Sequence, residues 1–235
     1  MTKAIGSEAR HDAVERARRF SPFLREALQA RPELAECFLE EGSRAAIAAA
    51  QVEADGPLEV ELRRARLGLA LAIALGDLSG ELELEEVTRH LSDFADQAIA
   101  RALAAAVRER VADSEPAGIA VIALGKLGSC ELNYSSDVDL LLLFDPARLP
   151  RRERDDSGEA AVRIARRMIE ILQKRTADGY VARVDLRLRP SPEVTPIALP
   201  VNAAISHYES SALPWERAAF IRARAAAGDQ ALGRH

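Results

Sequence analysis

The chain has 235 residues but only two cysteines, Cys37 and Cys130, which stand far apart and outside any motif. So few cysteines argue against a disulfide framework and against a zinc site with the usual cysteine spacing. A reducing compartment is therefore expected, and we predict a cytoplasmic protein. The first twenty residues are charged and contain no apolar stretch of signal-peptide length, in agreement with this prediction.

Aromatic residues are scarce, since they make up 4% of a chain that is 48% hydrophobic. Alanine, leucine and arginine dominate instead, and this composition favours packed helices over a β-sandwich. A basic excess is also missing, because the formal net charge is −5. We therefore expect no nucleic-acid partner, although binding of a nucleotide stays open. The longest apolar run, LGLALAIALG, is about half of a membrane span, so no membrane partner is expected.

The first half of the chain has the apolar periodicity of helices. Ser21 followed by Pro22 is typical of a helix N-cap with proline at the first helical position. Long helices are predicted over residues 58–75 and 84–111. The segment ADSEPAG, residues 112–118, marks a change of character. It predicts a helical N-terminal region at 1–114 and a second domain at 115–235.

The second domain combines apolar runs of strand type with further helical segments. Strands are predicted at residues 119–124 and 138–144, and the strict alternation from Tyr180 to Pro190 predicts a third. Helices are predicted at residues 157–176 and 201–227. The expected class is α+β, with a helical N-terminal region followed by a small sheet with flanking helices.

Two aspartates, Asp137 and Asp139, stand where the second predicted strand begins. Residues two apart in a strand project from the same face, so these two carboxylates are expected to be near neighbours. Neighbouring carboxylates repel each other unless a cation such as Mg²⁺ binds between them. The third predicted strand carries Asp185, Arg187 and Arg189 on one face. If the strands are neighbours, three carboxylates could hold two metal ions about 3.5–4 Å apart. The arginines would then face phosphate oxygens.

Gly125, Lys126 and Gly128 directly follow the first predicted strand. Glycines allow backbone N–H groups to approach an anion closely, and the lysine adds positive charge. The segment is not a Walker A loop, because leucine follows the lysine. Simpler interpretations stay open: solvated strand-end aspartates, a surface ladder of Asp185 with the two arginines, and a solvated Lys126.

Taken together and in order, several motifs resemble one family. They are GKLGSCELNYSSDVDLLLLFD (Gly125 to Asp145), VDLRLRPS about forty residues later, and HYESSALPWERAAFIRARAAAGD further on. They resemble the nucleotidyltransferase fold shared with DNA polymerase β, and more narrowly the glutamine synthetase adenylyltransferase/adenylyl-removing enzymes. The resemblance covers residues 57–229. It departs from the family pattern at Pro192, where the family usually has glycine.

The resemblance implies an activity and roles for the marked residues. Family members carry two nucleotidyltransferase domains, one adding AMP to a glutamine synthetase tyrosine from ATP and one removing it by phosphorolysis with release of ADP. ELNYSSDVD and VARVDLRLRP look like the removing copy. By resemblance, Asp137, Asp139 and Asp185 would be catalytic and would bind Mg²⁺. The phosphate-binding residues would be Gly125, Lys126, Gly128, Ser136, Arg187 and Arg189.

The expected partners are glutamine synthetase as protein substrate, ADP or ATP, and phosphate. Two alternatives stay open. The first is adenylyl transfer from ATP to a glutamine synthetase tyrosine or another substrate. The second is a non-catalytic module that docks glutamine synthetase or a PII-type signalling protein. The Trp215-Glu216-Arg217 motif is expected to be a packing anchor with an ion pair.

Overall fold

The computed structural model describes residues 2–52 and 56–234. Within them it contains helices and a small mixed sheet, which confirms the predicted α+β class. The helices are α1 (Thr2–Phe20), α2 (Pro22–Ala30), α3 (Pro32–Glu41), α4 (Ser43–Ala50), α5 (Leu58–Ser79), α6 (Leu84–Arg108), α7 (Gly125–Gly128), α8 (Ser157–Gln173), α9 (Val201–Ser210), α10 (Pro214–Phe220) and α11 (Gln230–Gly233). The strands are β1 (Ile119–Ala123), β2 (Val138–Phe144), β3 (Val184–Asp185), β4 (Ala198–Pro200) and β5 (Arg224–Gly228).

The first compact unit spans Met1–Leu91 and is helical in its described part. Ser21 caps α2 as predicted, since its Oγ accepts a hydrogen bond from the N–H of Leu24 at 3.2 Å. Helix α5 continues past the predicted end at residue 75 to Ser79. Gly80 caps it with a φ of +74°, the left-handed conformation that glycine adopts freely. The unit buries Leu34, Phe38, Leu62 and Leu71 almost completely.

The second compact unit spans Ser92–His235, so the two units divide within helix α6. This division lies earlier in the chain than the predicted change at residue 114. The C-terminal part of α6 belongs with the sheet, because Leu103 in α6 comes close to Gly228 in β5. The apolar face of this part of α6 is fully buried; it comprises Ala98, Ile99, Ala102, Leu103, Ala106 and Val107.

The sheet has the strand order β3-β2-β1-β5, and β4 also pairs with β2. Strand β2 runs antiparallel to β1, with Ile122 opposite Leu141, and parallel to β3 and β4. Both β1 and the apolar part of β2 are buried, as expected for strands covered on two faces. Helix α8 packs along β3 and β4.

Two sequence predictions about the sheet are wrong. The third strand does not run from Tyr180 to Pro190, because β3 contains only Val184 and Asp185. The N–H of Arg187 instead donates to the side-chain oxygen of Asp185 at 2.8 Å, and such a local bond replaces the strand ladder. The predicted helical stretch at 201–227 ends earlier than expected, and Arg224–Gly228 forms strand β5 against β1. Pairing with a buried strand here overrides the helix preference of alanine.

No helix within the described residues is both long and apolar enough to cross a membrane.

Candidate functional site

The predicted aspartates meet where β2 and β3 begin to pair. Asp137 immediately precedes β2, and Asp139 is its second residue. In the parallel pairing of these strands, Asp139 lies opposite Asp185. Paired residues on neighbouring strands project from the same face, and so do residues i and i+2 of one strand. The three carboxylates therefore belong to one face at one end of the strand pair.

Asp185 is held by Arg187. Arg187 donates from its backbone N–H to Oδ1 and from Nε to Oδ2 of Asp185, both at 2.8 Å. The arginine hydrogen bond is the main cause that lowers the pKa of Asp185 below its ordinary value. The carboxylate side chain is 12% exposed, whereas Arg187 is 84% exposed. Asp185 is thus an ionised carboxylate whose partner cation reaches into solvent.

Asp137 is held by Arg183, a residue that the sequence analysis did not single out. The Arg183 guanidinium donates to the carboxylate of Asp137 and to the carbonyl oxygen of Ser135. The hydrogen bond to Asp137 is the first cause that raises the pKa of Arg183. The alternation that placed Asp185 and Arg187 on one face also includes residue 183, so the signal was present in the sequence.

Within residues 2–52 and 56–234, no arginine forms an ion pair with Asp139, so its electrostatic situation differs from that of Asp137 and Asp185. Burial raises the pKa of Asp139 above its ordinary value, and the nearby carboxylates of Asp185 and Asp137 raise it further. Arg187 acts in the opposite direction. This pattern is what like charges in a shared site produce, and a cation placed among them would relieve it.

The glycine segment contacts the same carboxylate. Gly125 has a φ of +56°, and a Cβ built there would lie 2.5 Å from Oδ2 of Asp139, so a side chain would collide with the carboxylate. The carbonyl oxygen of Asp139 accepts from the N–H of Leu124 at 2.9 Å. Glycine is needed at position 125 both for its backbone conformation and for this close approach.

Lys126 and Ser136 lie together across the loop that joins β1 and β2. Nζ of Lys126 donates to Oγ of Ser136 at 3.2 Å, and that hydroxyl donates to Oδ1 of Asn133 at 2.8 Å. Both side chains are solvent-accessible. The ammonium group and the hydroxyl therefore lie together at the surface, and Ser136 directly precedes Asp137 in the chain.

Two predicted residues lie apart from this group. Gly128 lies against the backbone of residue 222, and a Cβ added at position 128 would overlap the carbonyl oxygen of Arg222. Arg189 donates to the carbonyl oxygens of Leu186 at 2.8 Å and Pro192 at 2.6 Å, so it braces the loop after β3. Contact of either residue with phosphate stays a prediction.

The donor set fits a hard divalent cation in its chemistry, because carboxylate oxygens are the ligands that Mg²⁺ prefers. The pKa of Asp139 is raised first by burial and then by the carboxylates of Asp185 and Asp137, and a cation among the three would offset the repulsion. Among the residues that the structure describes, however, no group of three or more His, Cys, Asp or Glu side chains is arranged to hold a metal ion. Two of the three aspartates are turned towards arginines instead.

In the Trp215-Glu216-Arg217 motif, the middle residue has a structural role. Glu216 is buried and accepts from the N–H of Leu213 at 2.7 Å, and it lies 3.0 Å from Nε2 of His207. His207 is therefore the hydrogen-bond partner of Glu216, and the expected ion pair of the motif stays a prediction. Within the motif that was expected to be a packing anchor, Glu216 is buried, whereas Trp215 is 51% exposed.

An apolar cavity of about 420 Å³ lies on the face of the sheet that carries the aspartates. Leu141 and Leu143 line it, and they share a strand face with Asp139. The ring of Tyr208 packs on Phe220 with centroids 4.2 Å apart, and burial raises the pKa of Tyr208.

Comparison with known proteins places the chain in a family. Residues 12–235 match the model of the glutamate-ammonia ligase adenylyltransferase family, and the chain belongs to this family. A bifunctional glutamine synthetase adenylyltransferase/adenylyl-removing enzyme of Rhizobium meliloti is 41% identical over 99% of the chain. Its namesakes in Xanthobacter autotrophicus and Caulobacter vibrioides are 43% and 48% identical over 91% and 73% of the chain.

The family resemblance predicted from the sequence is confirmed by these matches. The chain spans about a quarter of the length of the curated relatives: 26% of the Rhizobium protein and 24% of the Xanthobacter protein. Activity, substrate and partners of the whole relatives therefore enter below as proposals.

Proposed function

We propose that the chain is a metal-dependent nucleotidyltransferase that removes AMP from adenylylated glutamine synthetase by phosphorolysis in the cytoplasm. ADP would be released, and the reaction would regulate nitrogen assimilation. The observation that carries the proposal is the placement of Asp137, Asp139 and Asp185 on one strand face beside the Gly125 turn. A pure docking module has no need of three carboxylates on one face, where burial and then the other two carboxylates raise the pKa of Asp139.

The direction of the reaction rests on motif resemblance. ELNYSSDVD and VARVDLRLRP look like the removing copy of the family. In removal, an oxygen of inorganic phosphate attacks the phosphorus of the AMP group. A new P–O bond forms, the bond from phosphorus to the tyrosyl oxygen breaks, and ADP leaves. The tyrosyl oxygen takes up a proton to become a hydroxyl group.

The chain's own residues bind and orient the two anionic reactants. The backbone at Gly125 and the Nζ group of Lys126, with the hydroxyl of Ser136, provide donors for phosphate oxygens. Arg187 is exposed and forked, so its guanidinium suits the attacking phosphate. Such preorganised donors lower the barrier by stabilising charge that develops on the phosphoryl group.

Mg²⁺ would be held by Asp137, Asp139 and Asp185 and would supply charge neutralisation at the phosphoryl oxygens and at the departing oxygen. Binding would require Arg183 and Arg187 to release Asp137 and Asp185. Because the pKa of Asp185 is lowered, this group is ionised at neutral pH, which is the state that a metal ligand needs.

The experiment is a phosphorolysis assay. The chain is incubated with adenylylated glutamine synthetase, Mg²⁺ and phosphate, and ADP is measured. Asp185→Asn is the inactive variant, and Asp12→Asn, which changes an exposed helical carboxylate, is the matched control. We expect ADP release that requires both phosphate and Asp185. Asp12→Asn should release ADP at the wild-type rate.

A folded chain that binds Mg²⁺ but releases no ADP would refute removal by this chain. The same protein would then be tested with ATP and unmodified glutamine synthetase, since AMP transfer in that direction would identify addition. A chain that neither binds Mg²⁺ nor transfers AMP, yet binds glutamine synthetase or a PII-type protein, would be a docking module.

A further inference from the structure

Arg224 connects three elements around the glycine segment. Its Nη2 donates to the carbonyl oxygen of Leu127 in α7 at 2.9 Å and to Oδ1 of Asp96 in α6 at 3.0 Å. Its Nη1 lies 2.6 Å from Oδ2 of Asp96. Arg224 itself belongs to β5. One guanidinium therefore ties the glycine segment to both a helix and a strand.

The carboxylate of Asp96 is fixed in this arrangement. Its side chain and that of Arg224 are 23% and 27% exposed, so the pair is largely removed from water. Burial raises the pKa of Asp96, and the hydrogen bond from Arg224 opposes that rise. Removing one partner of a buried charged pair leaves the other without compensation, so the two residues work as a unit.

A second side chain of α6 holds the other end of the same loop. Ser92 lies one helical turn before Asp96 and is fully buried. Its Oγ accepts from the N–H of Leu132 at 3.1 Å. Asp96, acting through Arg224, and Ser92 therefore share one face of α6 and hold the loop at residues 127 and 132.

The position of this loop sets the position of Gly125. Residue 127 is two residues from Gly125, whose backbone fits tightly against the carboxylate of Asp139. On the other side, Gly128 contacts the backbone of residue 222, two residues before Arg224. The glycine turn is thus confined between Asp139 and β5. A shift of Leu127 would therefore change the direction in which the N–H groups of the turn point relative to the three carboxylates.

We propose that Arg224 and Asp96 are positioning residues that hold the glycine turn in the geometry needed to bind a nucleotide phosphate. The inference rests on the proposed function for its ligand class. Neither residue touches the phosphate in this role. They act through the carbonyl group of Leu127 and set the affinity for the anion without supplying metal ligands.

Titration calorimetry with ADP, and separately with Mg²⁺ alone, tests the proposal on the full chain. Arg224→Lys keeps the charge but loses the fork that reaches Asp96 and Leu127 together. We expect ADP affinity to fall by about tenfold, the worth of one charge-assisted hydrogen bond. Mg²⁺ affinity should stay unchanged, because the three aspartates are untouched. Arg222→Lys is the matched control two residues earlier, where the side chain is 57% exposed.

Asp96→Asn separates positioning from simple electrostatics. Removal of a negative charge near an anion site strengthens anion binding on charge grounds alone. Positioning predicts the opposite sign, with ADP bound several-fold more weakly, and no further loss in the double variant with Arg224→Lys.

Unchanged ADP affinity in Arg224→Lys, tighter binding in Asp96→Asn, or an equal loss of Mg²⁺ affinity would each overturn the proposal. If Arg224→Lys does not fold, Asp96→Asn decides the question. A wild-type chain that binds ADP but performs no phosphorolysis would refute the proposed function and leave this inference standing. A wild-type chain that binds no ADP would overturn both.

Discussion

Asp139 and Asp185 lie directly opposite each other in the parallel pairing of β2 with β3, although 46 positions separate them in the sequence. Burial is the first cause that raises the pKa of Asp139, and the opposed carboxylate of Asp185 raises it further. The pKa of Asp185 is instead lowered, first by the hydrogen bond from Arg187. The two carboxylates project from the same face but have different surroundings. Arg187 forms an ion pair with Asp185, whereas Asp139 is the carboxylate whose charge is disfavoured.

Asp139→Asn should abolish measurable Mg²⁺ binding and lower the rate of ADP release by about a thousandfold, because a metal ligand contributes several kcal/mol of charge stabilisation. Stability should rise slightly, since burial and two like charges penalise the carboxylate in the folded protein. Phosphorolysis and thermal unfolding measured on the same samples check both effects. Asp139→Asn with wild-type activity would remove this residue from the site.

Gly128→Ala should destabilise the protein by about 1–3 kcal/mol, because the added methyl group overlaps the carbonyl oxygen of Arg222 and forces the backbone to shift. Urea unfolding measures the loss. Gly6→Ala is the control, since a Cβ at that helical position meets nothing within 4 Å and alanine is the better helix former. Equal stability of Gly128→Ala and wild type would show that the loop relaxes freely.

Asp229 provides a pH-dependent contribution to stability. Its carboxylate, 8% exposed, accepts from the N–H groups of Gly118, Ala231 and Leu232 at 3.0–3.1 Å and pairs with Arg148 at 2.7 Å. These bonds, first the one from Gly118, lower the pKa of Asp229 below its ordinary value. A carboxyl group with a lowered folded-state pKa stabilises the fold above its unfolded pKa and loses that effect as pH falls through the folded value.

Asp229→Asn should therefore cost about 1–3 kcal/mol at neutral pH, from the loss of charge-assisted bonds to three backbone N–H groups. The difference from wild type should shrink below about pH 4, where the unfolded carboxyl group is protonated. Urea unfolding from pH 7 to pH 3 measures it, with Asp12→Asn as the exposed control. A difference that is constant with pH would contradict this assignment.

Glu216→Gln should lower stability by about 1–3 kcal/mol without changing the turnover number for ADP release. The carboxylate uses one oxygen for Leu213 and the other for His207, whereas an amide has a single acceptor oxygen, so one of these two contacts is weakened. Glu209→Gln, seven residues earlier and exposed, is the comparison. A fall in turnover with stability retained would assign Glu216 to the chemistry instead.

Local signals predicted the elements whose structure depends on nearby residues. Strand β2 begins and ends at the predicted residues 138 and 144. Its sequence, VDLLLLF, is apolar apart from Asp139, and a short apolar run of this kind predicts a buried strand. Ser21 caps α2 because hydroxyl and N–H groups three residues apart suffice for a cap. The same local pattern singled out Asp137, Asp139 and Asp185 as a group.

The remaining features depend on partners distant in sequence. Alternation from Tyr180 to Pro190 indicated a long strand, but the Asp185 side chain bonds the Arg187 backbone and ends pairing after two residues. The alanine-rich stretch Arg224–Gly228 forms a strand only because β1 offers it an edge. Asp96 gains its importance from a contact with Arg224, 128 positions away, which no short pattern encodes. Arg183 follows the same alternation as Asp185, but its pairing with Asp137, 46 positions away, is not part of that pattern.

The division of the compact units inside α6 affects how the chain can be dissected. A fragment beginning at residue 115, where the sequence changes character, would lack Ser92 and Asp96 and the buried apolar face from Ala98 to Val107. The surface of the sheet that α6 covers would then be left to water, and such an uncovered apolar area promotes aggregation. A piece that starts at Leu84 keeps the whole of α6, including the part that belongs to the second compact unit. Insolubility of a shorter fragment would thus result from the missing helix, and it would not show that the second domain is unable to fold.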